Sequence, residues 1–326
     1  MVSAPSIKHD DAHTPVLLNE VIDVLAPKIG GRYLDGTLGL GGHSLAILQC
    51  VENKGGSAEL CGLDRDNNAL LRAQNTLAHY GKNVHYFHTR YSQFEDALDA
   101  LAWDKIDGAL IDIGVSSMQI DTAERGFSFN LDGPLDMRMN QDADTSAWHL
   151  VNRERFEVLR DCLQKYSEDP QAGRIARAIV NARQKKTIDT TAELADIIYH
   201  AYPPAWRAKA RNHPATRTFQ ALRMVVNDEL GELERFLDAV LTRLKVGGRL
   251  AVICFHSLED RIVKRKMRYW AEGCRCPRHV MRCRCGHKPE VRIIYKKPIT
   301  ASLEELKQNP RASSAKLRAI EKVIEA

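Results

Sequence analysis

The stretch Asp35-Gly-Thr-Leu-Gly-Leu-Gly-Gly-His-Ser44 gathers residue types suited to holding a small ligand. It follows the short run Arg32-Tyr-Leu and precedes a helical pattern from Ser44 to Cys50. Its glycines therefore make a strand-to-helix turn, where a ligand can approach the backbone closely. Dinucleotide enzymes have such turns too, but with the spacing G-x-G-x-x-G, which Gly39-x-Gly41-Gly42 does not meet in any register. Asp35 stands at the mouth of the loop, where a carboxylate repels a pyrophosphate and attracts an ammonium or a sulfonium. The ligand that fits is an adenosine carrying cations instead of phosphates, S-adenosyl-L-methionine.

Other candidates follow at strand ends. Asp64 closes Gly62-Leu-Asp, where a carboxylate can accept hydrogen bonds from both ribose hydroxyls of an adenosine. The competing role is a helix cap, for which Asp66 is better placed. Asp112 ends a nearly all-apolar run and opens Asp112-Ile-Gly-Val-Ser-Ser117. A carboxylate facing the cleft there can hold the cofactor ammonium or accept a hydrogen bond and then a proton from an amine nucleophile, with the Gly114 carbonyl as the alternative acceptor. Tyr91 is placed to pack on the adenine or in the core. His43 is expected to touch the cofactor through its backbone N–H, with its imidazole capping or packing.

The elements that must position these residues alternate. Strands are expected at 32–35, 59–63, 84–88 and 108–113, with helices between them, which argues for a doubly wound parallel sheet. The next strand, 249–255, comes too late for one crossover, so roughly 100 residues are inserted. The insertion reads as helical, with candidates at 154–165, 171–184 and 190–201, and a long helix from Thr216 to Leu244 returns to the sheet. It leaves at the carboxyl end of the fourth strand, so a lid over the ligand is expected. The sequence divides as 1–122 with 216–326 for the sheet domain, and 123–215 for an inserted helical substrate-recognition domain. Ser92, Thr190, Ser257 and Ser302 each precede an acid three residues on and are expected to cap helices. The final strand is expected at 291–296.

Composition bounds the rest. The 326 residues are 44% hydrophobic with a formal charge of +5, enough for a sizeable core. No apolar run approaches the roughly 20 residues of a membrane span, and Met1 to Asp11 lacks the apolar stretch of a secretory signal. Both place the chain in the cytoplasm by default. Lys and Arg outnumber acids between Arg174 and Arg223 and again between Arg261 and Lys297, as on a surface that binds a polyanion. Candidate RNA contacts are Arg207, Lys209, Arg211, Arg217 and Arg223, and Phe127 or Phe129 can stack a base or anchor the lid. Of the eight cysteines, Cys50, Cys61, Cys162 and Cys254 sit among apolar residues. Cys274-Arg-Cys276 and Cys283-Arg-Cys285 form a tight cluster able to surround a structural zinc, with His287 as a spare ligand.

Several long blocks carry a family resemblance. They are His13-Thr-Pro-Val-Leu-Leu-Asn-Glu20, the loop 35–44, Asp112–Ser117, Glu124-Arg-Gly-Phe-Ser-Phe129, Gly133-Pro-Leu-Asp-Met-Arg-Met139, His213-Pro-Ala-Thr-Arg-Thr-Phe-Gln220 and Phe255-His-Ser-Leu-Glu-Asp-Arg261. In this order they resemble the bacterial small-subunit rRNA cytosine N4-methyltransferase family. The resemblance implies a class I S-adenosylmethionine-dependent methyltransferase sheet. It implies cofactor contacts from Gly41, Gly42, His43, Asp64, Tyr91, Asp112 and Gln119, and methylation of the exocyclic amine of a decoding-centre cytosine. The partner it implies is small-subunit ribosomal RNA or the small ribosomal subunit, with no membrane and with a homo-oligomer open. Met118 stands where proline is expected, and Tyr91 where phenylalanine is common. A nicotinamide-dependent oxidoreductase and a non-catalytic RNA-binding factor compete with this reading. The loop spacing disfavours the first, and Asp64, Asp112 and the loop glycines disfavour the second.

Overall fold

The computed structural model describes residues 15–209, 212–277 and 282–325. His13, Thr14 and Arg211 lie outside the described residues. The chain divides into two compact units, one ending at Ile113 and resuming at Leu237, the other running from Gly114 to Phe236. The second is wider than 123–215, because the helix Ala215–Val226 packs on Phe156–Ser167 and belongs with the insertion.

The first unit is built on seven strands: β1 (Arg32–Asp35), β2 (Glu59–Asp64), β3 (Val84–His88), β4 (Ile106–Asp112), β5 (Leu244–Cys254), β6 (Val291–Ile293) and β7 (Lys316–Lys322). Their order is β3-β2-β1-β4-β5-β7-β6. The first five run parallel, and β7 is antiparallel to both neighbours. This is the doubly wound α/β sheet expected. β2 and β4 bury nearly every residue, as strands covered on both faces must. The sheet order reverses between β1 and β4, where Asp35 pairs with Leu110. Ligands bind beyond the carboxyl ends of strands at such a reversal.

Helices Leu18–Leu25 and Gly42–Glu52 cover one face through Val21, Val24, Leu25, Ile47, Leu48 and Val51. Asp66 caps the helix Asn67–Thr76 by accepting from Asn68 N–H. Ser302 caps Leu303–Gln308 as expected. Two other expected caps do not form. A 3₁₀ turn occupies Tyr91–Gln93 and the helix starts at Phe94, with no side-chain cap. The basic helix Ser257–Ala271 is capped by His256, one residue before the expected serine, and Glu259 closes the box by accepting from Phe255 and His256 N–H, both at 3.0 Å.

The sheet edge also corrects the sequence reading. The expected strand 291–296 shortens to β6, and β7 lies between it and β5. The β7 sequence Lys-Leu-Arg-Ala-Ile-Glu-Lys is rich in helix formers, but its inward residues Leu317, Ala319 and Ile320 are buried against the sheet. Pairing with β5 outweighs a weak local preference. Lys322 is buried too, and its ammonium donates to the Leu244 carbonyl at 2.9 Å.

The second unit is helical. Its core joins Leu159 and Leu163 to Ile175, Ile179, Leu194, Ile198, Phe219 and Leu222. These come from Phe156–Ser167, Ala172–Arg183, Thr191–Ala201 and Ala215–Val226. Thr190 and Glu193 form the expected capping box. The long helix expected from Thr216 to Leu244 is two helices, Ala215–Val226 and Glu229–Arg243. The break falls at Asp228, whose φ of 48° is left-handed and incompatible with a continuous helix. The blocks 124–129 and 133–139 are stitched together there. Arg125 donates to the carbonyls of Arg138 and Met139, both at 3.0 Å, and Met137 N–H donates to Arg125 O at 3.0 Å.

Candidate active site at the carboxyl ends of the central strands

The loop after β1 is fixed from the two neighbouring strands, β2 and β4. Gly36 N–H donates to Leu110 O of β4 at 2.9 Å, and Leu38 N–H to Leu63 O of β2 at 2.8 Å. Thr37 Oγ1 accepts from Asp112 N–H at 2.6 Å. Gly36 has no room for a side chain, since a Cβ would sit 2.8 Å from Ile111 Cγ2 and 2.9 Å from Tyr91 Cβ. Gly41 has φ 82° and precedes the helix that starts at Gly42.

Asp35 is buried rather than open at the loop mouth. Its carboxylate accepts from Ser44 Oγ–H at 2.6 Å and from Thr37 N–H at 3.2 Å. It therefore shapes the loop and supplies charge from below, instead of meeting a ligand directly. Asp64 holds the next segment, with Oδ2 accepting from Gly39 N–H and Oδ1 from Asp66 N–H, both at 2.8 Å. Each oxygen keeps a second lone pair for a hydroxyl. Tyr91 is buried beside Gly36.

Asp112 differs from these two. Its Oδ1 is enclosed yet has no hydrogen-bond partner, and its Oδ2 lies 3.9 Å from His43 Nδ1, too far for a hydrogen bond. His43 Nε2 sits 2.9 Å from Val16 O. A carbonyl only accepts, so Nε2 carries the proton of this bond, which ties the imidazole to the backbone at Val16. Gly41, Gly42, His43, Asp64, Tyr91 and Asp112 thus belong to one unit. Gln119 belongs to the other, where it is buried and closes a capping box with Ser116 over Ser117–Asp121. Sequence reasoning missed Thr37 and Ser44, whose hydroxyls tie the loop to Asp112 and Asp35. Their place within the glycine-rich loop was the available signal.

The three carboxyls all hold protons above the usual carboxylate range. Burial is the main cause in each, pushing Asp35 up to about 6 and Asp112 up to about 8, where the charges of Asp35 and Glu259 add to it. Asp64 is raised as well. These three groups therefore bind more protons in the folded chain than in the unfolded one from about pH 4 upward, and the stability they contribute falls as pH rises toward 8. The melting temperature of the ligand-free protein is expected to drop between pH 6 and 8, and Asp112→Asn to remove most of that slope. A melting temperature that climbed across this interval would contradict the assignment.

In the helical unit, two expected RNA contacts are committed elsewhere. Arg223 forms a two-pronged pair with the buried Glu229, both bonds at 2.8 Å. The Phe129 ring packs on Phe219 at 5.1 Å and on His213 at 4.8 Å. The Arg207 guanidinium lies 4.5 Å from the Tyr199 ring centre, beside exposed Trp206. Back in the first unit, the sulfurs of Cys274, Cys276, Cys283 and Cys285 all fall within 4.8 Å of one another, and His287 is not in the group.

The sequence profile of the MraW methylase family matches residues 10–323. The chain belongs to the MraW methylase family. A relative called "Ribosomal RNA small subunit methyltransferase H" in Nitratidesulfovibrio vulgaris (strain DP4) is 70% identical over 312 residues, 96% of each chain. The protein of that name in Desulfovibrio desulfuricans is 65% identical over 96% of this chain and 95% of its own. That of Lawsonia intracellularis is 58% identical over 96% and 99%. A solved rRNA methylase from Streptococcus thermophilus is a distant likeness, with TM-score 0.38 and 11% identity over 94% of each chain. It is too distant to inform the site.

Proposed function

We propose that this chain methylates the exocyclic N4 of a decoding-centre cytosine in small-subunit rRNA, using S-adenosyl-L-methionine. The observation that carries the cofactor is the enclosed, unpartnered Oδ1 of Asp112, within electrostatic reach of the buried Asp35, which in turn feels Asp64. Three acids around a glycine-rich loop are a poor seat for a pyrophosphate and a good one for an ammonium and a sulfonium. That donor set fits S-adenosylmethionine, which when bound supplies a methyl group activated by positive sulfur. The substrate rests on the family and on the names of relatives up to 70% identical over 96% of the chain.

Each residue then has a task. Asp64 accepts from the ribose hydroxyls while its backbone bonds hold the loop. Gly41, Gly42 and His43 present backbone at the helix start, and Tyr91 packs beside the nucleoside. Asp112 accepts a hydrogen bond, and then a proton, from the cytosine amine. That amine is a poor nucleophile because its lone pair is delocalised into the ring, and an acceptor on N–H localises it. No thiol attack is needed, and Cys61 and Cys254 are buried with thiols pushed up, to about 12 in the case of Cys61. The helical unit serves substrate recognition, supported by its basic run and the exposed Tyr199 and Trp206. Among the described residues no helix is long and apolar enough to cross a membrane, and a ribosomal substrate places the work in the cytoplasm.

Mass spectrometry of small-subunit rRNA nucleosides, with and without the protein, tests the reading. N4-methylated cytidine is expected only when the protein is present. An unchanged nucleoside profile, or tight binding of NAD with none of the methyl donor, would overturn it.

A further inference from the structure

We propose that Cys274, Cys276, Cys283 and Cys285 bind one zinc ion through four thiolates, closing the loop between the helix Ser257–Ala271 and β6. The sulfur separations carry the proposal. Cys283 lies 3.4 Å from Cys274, 3.5 Å from Cys285 and 4.0 Å from Cys276, and Cys274 lies 3.9 Å from Cys285. Four sulfurs at the usual Zn–S length of about 2.3 Å from a tetrahedral centre stand about 3.8 Å apart. A disulfide would need about 2.0 Å, so the sulfurs are grouped but unbonded. An iron–sulfur cluster spreads its thiolates around several irons, which a group this tight does not allow. A set of four thiolates with no oxygen ligand selects zinc among the common divalent ions.

The surroundings fit a bound ion. Arg284 N–H donates to Cys276 Sγ at 3.4 Å. Arg275, between the first two cysteines, turns away from the sulfurs. Its guanidinium lies 3.9 Å from the Tyr269 ring centre and donates to Glu290 at 2.9 Å. Cys274, Cys283 and Cys285 are exposed, so burial of apolar surface does not hold them together. Holding four thiolates this close requires a dication between them, and binding it would brace the segments that carry them. The loop returns at Glu290, whose N–H donates to Trp270 O at 2.9 Å and whose carbonyl accepts from Val323 N–H at 2.9 Å. The ion therefore fastens a loop already anchored at its base, apart from the residues assigned to methyl transfer.

Elemental analysis of protein purified without added zinc is expected to find about one zinc per chain. Less than about 0.2 equivalents of any transition metal, with all four thiols open to a thiol reagent, would overturn the proposal. Iron accompanied by acid-labile sulfide would overturn it equally. The double variant Cys283→Ser/Cys285→Ser is expected to lose the ion and become cleavable by protease within 272–290, while keeping its far-ultraviolet dichroism. Should that variant fail to fold, cobalt exchange into the unaltered protein decides the matter. Thiolate-to-cobalt charge-transfer absorption of the strength given by four sulfurs is expected, and its absence would refute the site.

Discussion

Replacing Asp112 with asparagine is expected to lower methyl transfer at saturating S-adenosylmethionine by roughly 10²- to 10⁴-fold, the range typical of losing a general base. The amide keeps the size of the side chain and can still accept a hydrogen bond, but it neither takes a proton nor carries charge. His43 spends its Nε2 proton on Val16 O, and its other nitrogen is 3.9 Å from Asp112. Affinity for S-adenosylhomocysteine, measured by calorimetry, is expected to change much less than turnover. If saturating donor restored full turnover to the variant, Asp112 would be an anchor for the cofactor ammonium and the acceptor role would fail. The raised titration of Asp112, up to about 8 without ligand, adds a second reading of the same experiment. Seating a cation beside the carboxyl favours its charged form. Donor binding near pH 7 is therefore expected to release a proton in the parent protein and none in the variant.

Asp64→Ala is expected to weaken binding of both the methyl donor and its demethylated product by roughly ten- to a hundredfold. Hydrogen bonds to a charged acceptor are worth about 1.5–3 kcal/mol each, and about 1.4 kcal/mol is tenfold in affinity. The carboxylate already spends two such bonds on Gly39 and Asp66 N–H. Its removal therefore loosens the glycine loop and deletes the ribose acceptor together. Asp64→Asn is expected to fare little better, because an amide turns one oxygen into a donor that faces a backbone N–H. Affinity equal to that of the parent protein would take Asp64 out of the site. The two substitutions together separate binding from chemistry, with Asp64 acting on affinity and Asp112 on turnover.

The parts of this protein legible in sequence are those governed by neighbours along the chain. The places of the first five strands along the chain followed from apolar runs separated by helical patterns. The caps at Thr190 and Ser302 followed from an acid three residues on. The same pattern misled at Ser257, because the helix already begins there, with only Phe255 and His256 between it and the end of β5 at Cys254. His256, just before the first helical residue, therefore takes the cap position. It misled at Ser92 because a 3₁₀ turn precedes the helix there. The break at Asp228 and the strand β7 were hidden for a related reason: each is fixed by what the segment packs against, not by its own preference.

What the sequence by itself determined is the inventory: a glycine loop that excludes a dinucleotide fingerprint, acids at the ends of strands one, two and four, and four cysteines in two close pairs. Tertiary structure decided what state each is in. It buried Asp35 under the loop and tied it to Ser44. It enclosed one oxygen of Asp112 without a partner, and it drew four sulfurs from two short segments into one group. The physical reason is that charge and proton affinity depend on the dielectric and the donors around an atom. Those surroundings come from residues distant in sequence and are set only when the chain is folded.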